Sequence, residues 1–296
     1  MSRKSKFKAS LIALMPKMGG SHLTREARVR TAVKFSEIMY SEGFTHLVKV
    51  EDIAGKQIRA YVSARKSTGV SIRTLQNELS HIRSFLDAVG KSTITHASEL
   101  SNESLGISGG SRVGKKTAMS DNQLQTICLK AIKQGRPGMA AILSIERYIG
   151  LRGNEAIHAK PDTIERWIKE IHEKDNITVI SGTKGGKARN VNIFDRTKAL
   201  SILAEALDIA KNQGGFLVIR ANRLPAGGLK EARAIYHSWA NRAGIQPHAA
   251  RYAFAREQAQ RYVSRGFSDR EAAKSVSLDL GHGDGRGRWV KSVYLK

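Results

Sequence analysis

Two histidines, an arginine and a tyrosine in the last fifty residues have the chemistry of phosphoryl transfer without a metal ion. His248 and Arg251 are three residues apart, so they share one face if the segment is helical, and His282 and Tyr294 follow them. A guanidinium neutralises the non-bridging oxygens of a phosphate through its planar fork of donors. An imidazole exchanges protons near neutral pH, and a phenol forms a covalent phosphoryl intermediate. These residue types suit a scissile phosphodiester.

The charge balance of the chain indicates a polyanionic partner. Lys and Arg total 50 against 26 acidic residues, which gives a formal net charge of +24. A surplus of this size favours nucleic acid first and an anionic membrane second. No apolar run reaches the length of a bilayer span, and Pro16 and Lys17 interrupt Leu11–Met15 too early for a secretory signal. Nucleic acid is therefore the expected partner.

The sequence contains no pattern of a disulfide, nucleotide or metal site. A single cysteine, Cys128, excludes a disulfide framework and a cysteine-rich zinc site, and it lies on an apolar helix face typical of a core residue. The stretch Gly109–Thr117 is similar to a phosphate-binding loop, but Lys116 stands where that motif requires Ser or Thr. The sequence also has no obvious carboxylate cluster for paired magnesium ions. We therefore expect neither a metal nor a cofactor.

The first third of the chain is predicted to be helical. Apolar residues recur at helical spacing in three segments, 24–41, 52–64 and 72–89. Ser71 has the position of an N-cap, and residues 21–105 are assigned to an all-helical domain. Residues 1–20 are rich in Lys and Arg and are predicted to form a basic flexible arm. The small, polar and basic residues of 106–119 predict a linker.

The remaining residues, 120–296, are predicted to form a second domain that combines helices with one β-hairpin. Helical patterns cover four segments, 121–134, 139–149, 196–211 and 229–243. β-branched residues predict strands at 177–180 and 191–193, joined by a glycine-containing turn at 183–187. The expected fold is mainly α-helical with a small β-hairpin, in which an all-helical N-terminal domain precedes an α+β domain.

Positively charged side chains accompany the hairpin and the end of the apolar helix 139–149. Lys184, Lys187 and Arg189 lie in or beside the hairpin turn, where a basic tip commonly enters a groove of DNA. Arg152 follows the apolar helix, and Glu155 comes three residues later. By itself this arginine would be interpreted as a cap on the negative end of the helix dipole.

Four separated segments resemble the motifs of the tyrosine recombinases, the phage-integrase-like site-specific recombinases. The segments are Gly150-Leu151-Arg152-Gly153-Asn154-Glu155, Thr183-Lys184-Gly185-Gly186-Lys187-Ala188-Arg189, His248-Ala249-Ala250-Arg251, and Leu280-Gly281-His282 with Tyr294 after it. Each motif is short, but their order and their expected secondary structure agree with the family. The resemblance covers residues 145–296, and the helical domain fits the family's core-binding domain by its position alone.

The resemblance implies how the DNA strand is held and attacked. Tyr294 would be the nucleophile, giving a 3′-phosphotyrosyl link and a free 5′-hydroxyl. Arg152 and Arg251 would bind the non-bridging oxygens as charge develops, and His282 would add a hydrogen bond to the same phosphate.

The resemblance assigns proton transfer and orientation to three further residues. Lys184 would act as general acid for the departing 5′-oxygen, and His248 would assist proton removal from the tyrosine. Glu155 would orient its neighbours without touching the phosphate. A tyrosine is weakly nucleophilic at neutral pH and needs cations nearby, which agrees with these assignments.

Rival tyrosines and the spacing before Tyr294 give further expectations. Tyr236, Tyr252 and Tyr262 are rival nucleophiles in principle. Tyr236 lies on an apolar stripe and is expected in the core, and Tyr252 is expected to point away from the face of Arg251. The glycine-rich segment 283–287 is expected to be mobile, so that Tyr294 docks only on DNA. The sequence has two residues after Tyr294, where many members of the resembled family continue into a helix that packs on a neighbouring subunit, so the mode of subunit exchange and the cis or trans action of Tyr294 stay open.

The resemblance implies a metal-free DNA strand transferase that serves a mobile element. It would clamp double-stranded DNA between its two domains and self-assemble to a tetramer, with DNA-bending accessory proteins as possible partners and no membrane. We expect it in the cytoplasm, associated with the nucleoid when bound to DNA. Two alternatives remain open: a type IB topoisomerase-like enzyme that relaxes supercoils, and a non-catalytic DNA-binding protein of the same fold.

Overall fold

The structure is a computed structural model that describes residues 1–110, 117–222 and 224–295. The chain divides into two compact units, Met1–Arg112 and Val113–Lys296. The expectation of a mainly helical chain with one small hairpin is confirmed. No helix in the described ranges is long and apolar enough to cross a bilayer.

The first unit is a cluster of helices around one hydrophobic core. Its helices are α1 (Arg3–Ala13), α2 (His22–Ser41), α3 (Gly55–Ser67), α4 (Ile72–Ala88) and the short α5 (Ser92–Thr95). Helix α2 packs against α1, α3 and α4. The predicted N-cap at Ser71 is confirmed, since its hydroxyl accepts the backbone N–H of Thr74. Burial of Phe35, Tyr61 and Phe85 at the centre of the unit holds these helices together.

The prediction of a flexible arm over residues 1–20 is wrong for α1. Ser2 caps this helix, and the side chains of Phe7 and Leu11 are completely buried in the core of the first unit. These two residues are four apart, so they lie on one face while the lysines occupy the others. The high charge of the segment masked a short amphipathic helix.

The predicted linker is shortened by packing at both of its ends. Ile107 lies in the core of the first unit. Met119 lies in the core of the second unit, and its N–H donates to the carbonyl of Ala249 at 3.1 Å. Residues 111–116, which hold most of the loop-like stretch Gly109–Thr117, are outside the described residues.

The second unit combines nine helices among its described residues with one antiparallel hairpin. The helices are α6 (Asp121–Lys133), α7 (Pro137–Tyr148), α8 (Gly153–Ile157), α9 (Pro161–Lys174), α10 (Arg196–Asn212), α11 (Leu229–Arg242), α12 (His248–Val263), α13 (Asp269–Asp279) and α14 (Gly287–Val293). Helix α7 is the most apolar of them and packs against α6, α10 and α12. It forms the centre of the unit, and its C-terminal end leads to Arg152.

The hairpin packs between two helices that the sequence analysis did not assign. Strands β1 (Asn176–Val179) and β2 (Arg189–Asn192) pair in antiparallel register, with Ile177 opposite Val191. Helix α9 packs on β1 and α13 packs on β2. The indole N–H of Trp167 in α9 donates to the carbonyl of Thr178 at 2.9 Å, which fixes the helix to the edge of the hairpin.

A buried carboxyl group lies near the C-terminal end of α7. Glu146 accepts a hydrogen bond of 2.9 Å from the hydroxyl of Tyr236, and both residues are almost completely buried. Burial raises the pKa of Glu146 to about 8, against the opposing effects of Tyr236 and Arg251. The carboxyl is therefore mainly protonated at neutral pH.

Replacement of Glu146 by Gln tests this protonation state. A folded-state pKa above the unfolded value means that the folded chain binds more protons, so stability falls as pH rises from about 4.5 to about 8. Glutamine keeps an acceptor for Tyr236 but does not ionise. We expect the thermal midpoint of the wild type to fall relative to that of Glu146→Gln across this pH range, as measured by circular dichroism. Glu165→Gln, which removes a half-exposed carboxylate, is the control. Parallel curves for wild type and Glu146→Gln would show that Glu146 is already ionised at low pH.

Candidate active site

The turn after α7 positions Arg152. Gly150 has φ +72°, and a Cβ at this position would lie 2.3 Å from the ring of Phe254, so only glycine fits without displacement. Arg152 then begins α8 as its N-cap residue. The Glu155 carboxylate accepts the backbone N–H of Arg152 and its Nη1, both at 2.7 Å. This fork fixes the direction of the arginine side chain.

One backbone carbonyl connects the two arginines of the site. The oxygen of Leu280, just after the last turn of α13, accepts Nη2 of Arg152 at 2.8 Å and also accepts Nη2 of Arg251. The carbonyls at the end of a helix lack partners within the helix, so they are free to accept these bonds. Nη1 of Arg251 donates to the carbonyl of Gly150. The ends of α7 and α13 therefore bring the two guanidiniums together.

Arg251 is the most deeply buried charge of the site. It lies in the first turn of α12, and its side chain is 0% exposed. Burial, and then the charge of Arg152, lower its pKa, while Tyr294 and Glu155 oppose that shift. Nη1 of Arg251 lies 3.9 Å from Glu155, so the same carboxylate serves both arginines.

Tyr294 is docked in the site of its own chain. Its hydroxyl oxygen lies 3.1 Å from Nε2 of His248 and 3.2 Å from Nε2 of His282. The ring stacks on Tyr252 with centroids 4.4 Å apart, and Trp289 contacts it edge-on. Only 2% of the tyrosine is exposed.

The two histidines contact the same hydroxyl in different environments. Burial, followed by the charges of Arg251 and Arg152, lowers the pKa of His282 to about 3, so this ring is neutral at physiological pH. A hydroxyl has one proton to donate. If His248 accepts that proton through Nε2, the Nε2 of His282 is the donor toward the same oxygen.

The expectation that segment 283–287 is mobile and that Tyr294 docks only on DNA differs from the structure, in which Tyr294 is docked without DNA. Residues Asp284–Arg286 form a 3₁₀ turn, and Gly287 begins α14, which packs on α13. Gly287 allows this approach, because a Cβ there would lie 3.2 Å from the backbone of Lys274. The short helix brings Tyr294 to the two histidines.

Of the expectations about the rival tyrosines, the one for Tyr236 is confirmed and the one for Tyr252 is wrong. Tyr236 is completely buried in the core, as expected. Tyr252 does not point away from the site, since its ring packs on Tyr294 and contacts His248 edge-on. The spacing of four between His248 and Tyr252 places both on one face of α12, and this signal was available in the sequence.

Arg189 does not extend into solvent as a hairpin-tip residue would. Its side chain is 7% exposed, and Nη2 donates to Glu155 at 2.6 Å. Burial, and then the charge of Arg251, lower its pKa to about 9, against the opposing effect of Glu155. Arg189 and Val191 are two apart in a strand, so they share the inward face. The alternation of β2 was therefore the signal that the sequence analysis missed.

The structure describes the side chain of Lys187 but not that of Lys184. Lys187 is exposed next to the turn, as a DNA contact requires. Lys184 lies in the 3₁₀ turn Lys184–Gly186, and its side chain is outside what the structure describes.

The assembled site concentrates positive charge around one carboxylate. Three guanidiniums, those of Arg152, Arg189 and Arg251, surround the single carboxylate of Glu155. This arrangement has an excess of positive charge next to the phenol. Within the described ranges, no three His, Cys, Asp or Glu side chains form a group suited to a metal ion.

Comparison with known proteins shows the family to which the chain belongs. The Integrase family matches residues 106–257, just over half of the chain, and the family described as "Phage integrase, N-terminal" matches residues 4–95. The first match stops before His282 and Tyr294, so it does not cover the last motif of the site. No curated protein matches the chain.

Three solved structures have the same fold. The integrase of transposon Tn1549 with a circular intermediate DNA has a TM-score of 0.60 and 14% identity, covering 99% of this chain and 95% of that one. A lambda integrase dimer bound to a COC′ core site has a TM-score of 0.59 and 15% identity, covering 96% and 75%. The XerH recombinase bound to palindromic difH has a TM-score of 0.56 and 18% identity, covering 96% and 80%. From the family matches and the shared fold, the chain belongs to the tyrosine recombinases of the phage-integrase family.

Proposed function

We propose that this chain is a site-specific DNA recombinase that cleaves and rejoins strands through a 3′-phosphotyrosyl intermediate. The observation that carries the proposal is the position of the Tyr294 hydroxyl, within 3.2 Å of two histidine nitrogens. A phenol held among imidazoles and guanidiniums is set up for attack on a phosphate.

The scissile phosphate binds to the guanidiniums of Arg152 and Arg251. Arg152 keeps 19% of its side chain exposed and is the first group that DNA meets, whereas Arg251 is covered. DNA binding therefore has to move Tyr294 enough for a non-bridging oxygen to reach Arg251. The Nε2–H of His282 then turns from the phenol to the phosphate.

The attack step uses His248 as the proton acceptor. The Tyr294 oxygen bonds to phosphorus, its proton passes to Nε2 of His248, and the bond from phosphorus to the 5′-oxygen breaks. Lys184 donates a proton to that leaving oxygen, which yields a free 5′-hydroxyl. Religation reverses these steps with a 5′-hydroxyl from another strand, so no external energy source is needed.

The net charge of +24 supports double-stranded DNA as the substrate, and the similar integrase and recombinase structures are complexes with DNA. We propose that the exposed Lys187 contacts the phosphate backbone and that the helical unit forms the second half of a clamp. A lambda integrase tetramer bound to a Holliday junction supports assembly of four subunits on DNA.

We further propose that the protein serves a mobile element, with DNA-bending proteins assisting it, and that it acts at the nucleoid.

Covalent capture tests the nucleophile without knowledge of the DNA site. A pool of nicked duplexes with randomised sequence around the nick is incubated with the protein, and DNA that stays attached to denatured protein is sequenced. We expect the wild type to enrich a defined sequence and Tyr294→Phe to form no adduct, because the attacking oxygen is absent. Tyr252→Phe is the matched control, since it removes the hydroxyl of the stacked neighbour and keeps its ring.

Two results would contradict the proposal. Adducts that persist in Tyr294→Phe and disappear in Tyr252→Phe would identify a different nucleophile. Adducts without sequence enrichment, together with relaxation of any supercoiled plasmid and no exchange between two sites, would favour the topoisomerase-like alternative.

A modified leaving group tests Lys184. A substrate with sulfur in place of the bridging 5′-oxygen releases a thiolate, which is a weaker base than an alkoxide and needs no proton to leave. We expect Lys184→Ala to cleave the oxygen substrate about 100-fold more slowly than wild type, and the sulfur substrate at close to the wild-type rate. An equal defect on both substrates would exclude Lys184 as the general acid.

A further inference from the structure

One buried cation of the site has no role in the reaction described above. Arg189 is nearly enclosed, yet its Nε and Nη1 have no hydrogen-bond partner among the described residues. Leaving two donors of a buried guanidinium without acceptors is costly, so the position needs an explanation.

The surroundings of Arg189 connect it to every other charge of the site. Its Nη2 bonds to Glu155, which also holds Arg152, and the charges of Arg251 and Asp279 act on it. Its Cδ lies beside Gly281, where a Cβ would approach to 2.4 Å. The φ of +65° and this contact both require glycine before His282, so the Leu-Gly-His turn is shaped around Arg189.

We propose that Arg189 is a positioning residue, which holds the Glu155 carboxylate so that Arg152 and Arg251 present their guanidiniums to the phosphate. This inference rests on the proposed function, because it concerns the same phosphate.

The geometry argues against direct contact between Arg189 and DNA. Its Nε and Nη1 are covered from solvent, and its Nη2 is bonded to Glu155. A phosphate oxygen reaches this side chain only if the ion pair breaks. Arg189 therefore acts through Glu155.

The ion pair between Arg189 and Glu155 affects how much positive charge the site offers to the phosphate. With Arg189 present, Glu155 is shared among three guanidiniums, and the site keeps a positive excess even when the nearby Asp279 is counted. Without Arg189, Glu155 neutralises a larger share of the charge of Arg152 and is free to turn toward Arg251, 3.9 Å away. Both changes weaken the stabilisation of the charge that develops on the phosphate.

The test compares rate with binding in four variants: Arg189→Met, Arg189→Lys, Glu155→Gln and the double variant Arg189→Met/Glu155→Gln. The probe is the nicked duplex enriched by wild type in the covalent selection. Adduct formation is measured in single turnover over a range of DNA concentrations. Binding is measured at several salt concentrations in the Tyr294→Phe background, so that no cleavage occurs.

We expect Arg189→Met to lower the saturated rate about 10- to 100-fold, because misplacing a transition-state ligand by about 1 Å costs this much. The half-saturating DNA concentration and the salt dependence of binding should stay as in wild type. Arg189→Lys, which keeps the charge, should recover part of the rate. The double variant should be no slower than Glu155→Gln alone, because the two residues act as one unit.

Arg196→Met is the matched control. Arg196 is also paired with an acid, Asp175, but it is half-exposed at the far end of the hairpin. We expect wild-type rates from this variant. If Arg189→Met fails to fold, Glu155→Gln and the double variant still test the proposal, since the double variant leaves no unpaired carboxylate.

Several results would overturn the inference. An unchanged rate in Arg189→Met, or a double variant tenfold slower than Glu155→Gln, excludes action through Glu155. A fall of about one in the slope of log affinity against log salt would make Arg189 a phosphate contact instead. If wild type forms no adduct with any duplex, the proposed function and this inference fail together, whereas normal adducts from Arg189→Met overturn the inference alone.

Discussion

The site depends on one buried carboxylate among three guanidiniums. Glu155 is 1% exposed and bonds to Arg152 and Arg189, with Arg251 3.9 Å away. Three like charges repel one another in a region of low dielectric constant, and a buried charge without a partner is costly. The carboxylate makes this arrangement tolerable, but it neutralises only one of the three charges. In the proposed function, the negative charge of a DNA phosphodiester would balance part of the positive charge that remains.

The helices of the second unit contribute to the site mainly through their ends. The turn after α7 supplies the carbonyl of Gly150 and then Arg152, and the end of α13 supplies the carbonyl of Leu280. The first turn of α12 supplies both His248 and Arg251, and α14 delivers Tyr294. Carbonyls that have no partner in their own helices thus fix the arginines. The chemistry of the site follows from where these helices stop and start.

The sequence predicted the periodic elements and the polar motifs, because both have strong local signals. The apolar spacing of α4 and α7 and the His248-Ala249-Ala250-Arg251 motif are examples. It did not predict α1, because the segment is rich in lysine and few of its side chains, chiefly the buried Phe7 and Leu11, anchor it in the core. The docked state of Tyr294 also escaped prediction. Glycines in 283–287 suggest mobility, but the contact of α14 with α13 is a tertiary interaction that local composition does not encode.

Arg189 illustrates the same limit for the site itself. Its position in a basic hairpin suggested a surface contact, and the alternation with Val191 pointed inward. The packing of β2 on α13 agrees with the inward direction, since it brings the strand beside Gly281 and Glu155.

The most direct measurement of the central claim is the chemical identity of the bond between protein and DNA. The trapped adduct is digested with nuclease and protease, and the peptide that carries a nucleotide is sequenced by tandem mass spectrometry. We expect a nucleotide joined through its 3′-phosphate to the oxygen of Tyr294. A nucleotide on any other residue, or a 5′-phosphate linkage, would contradict it.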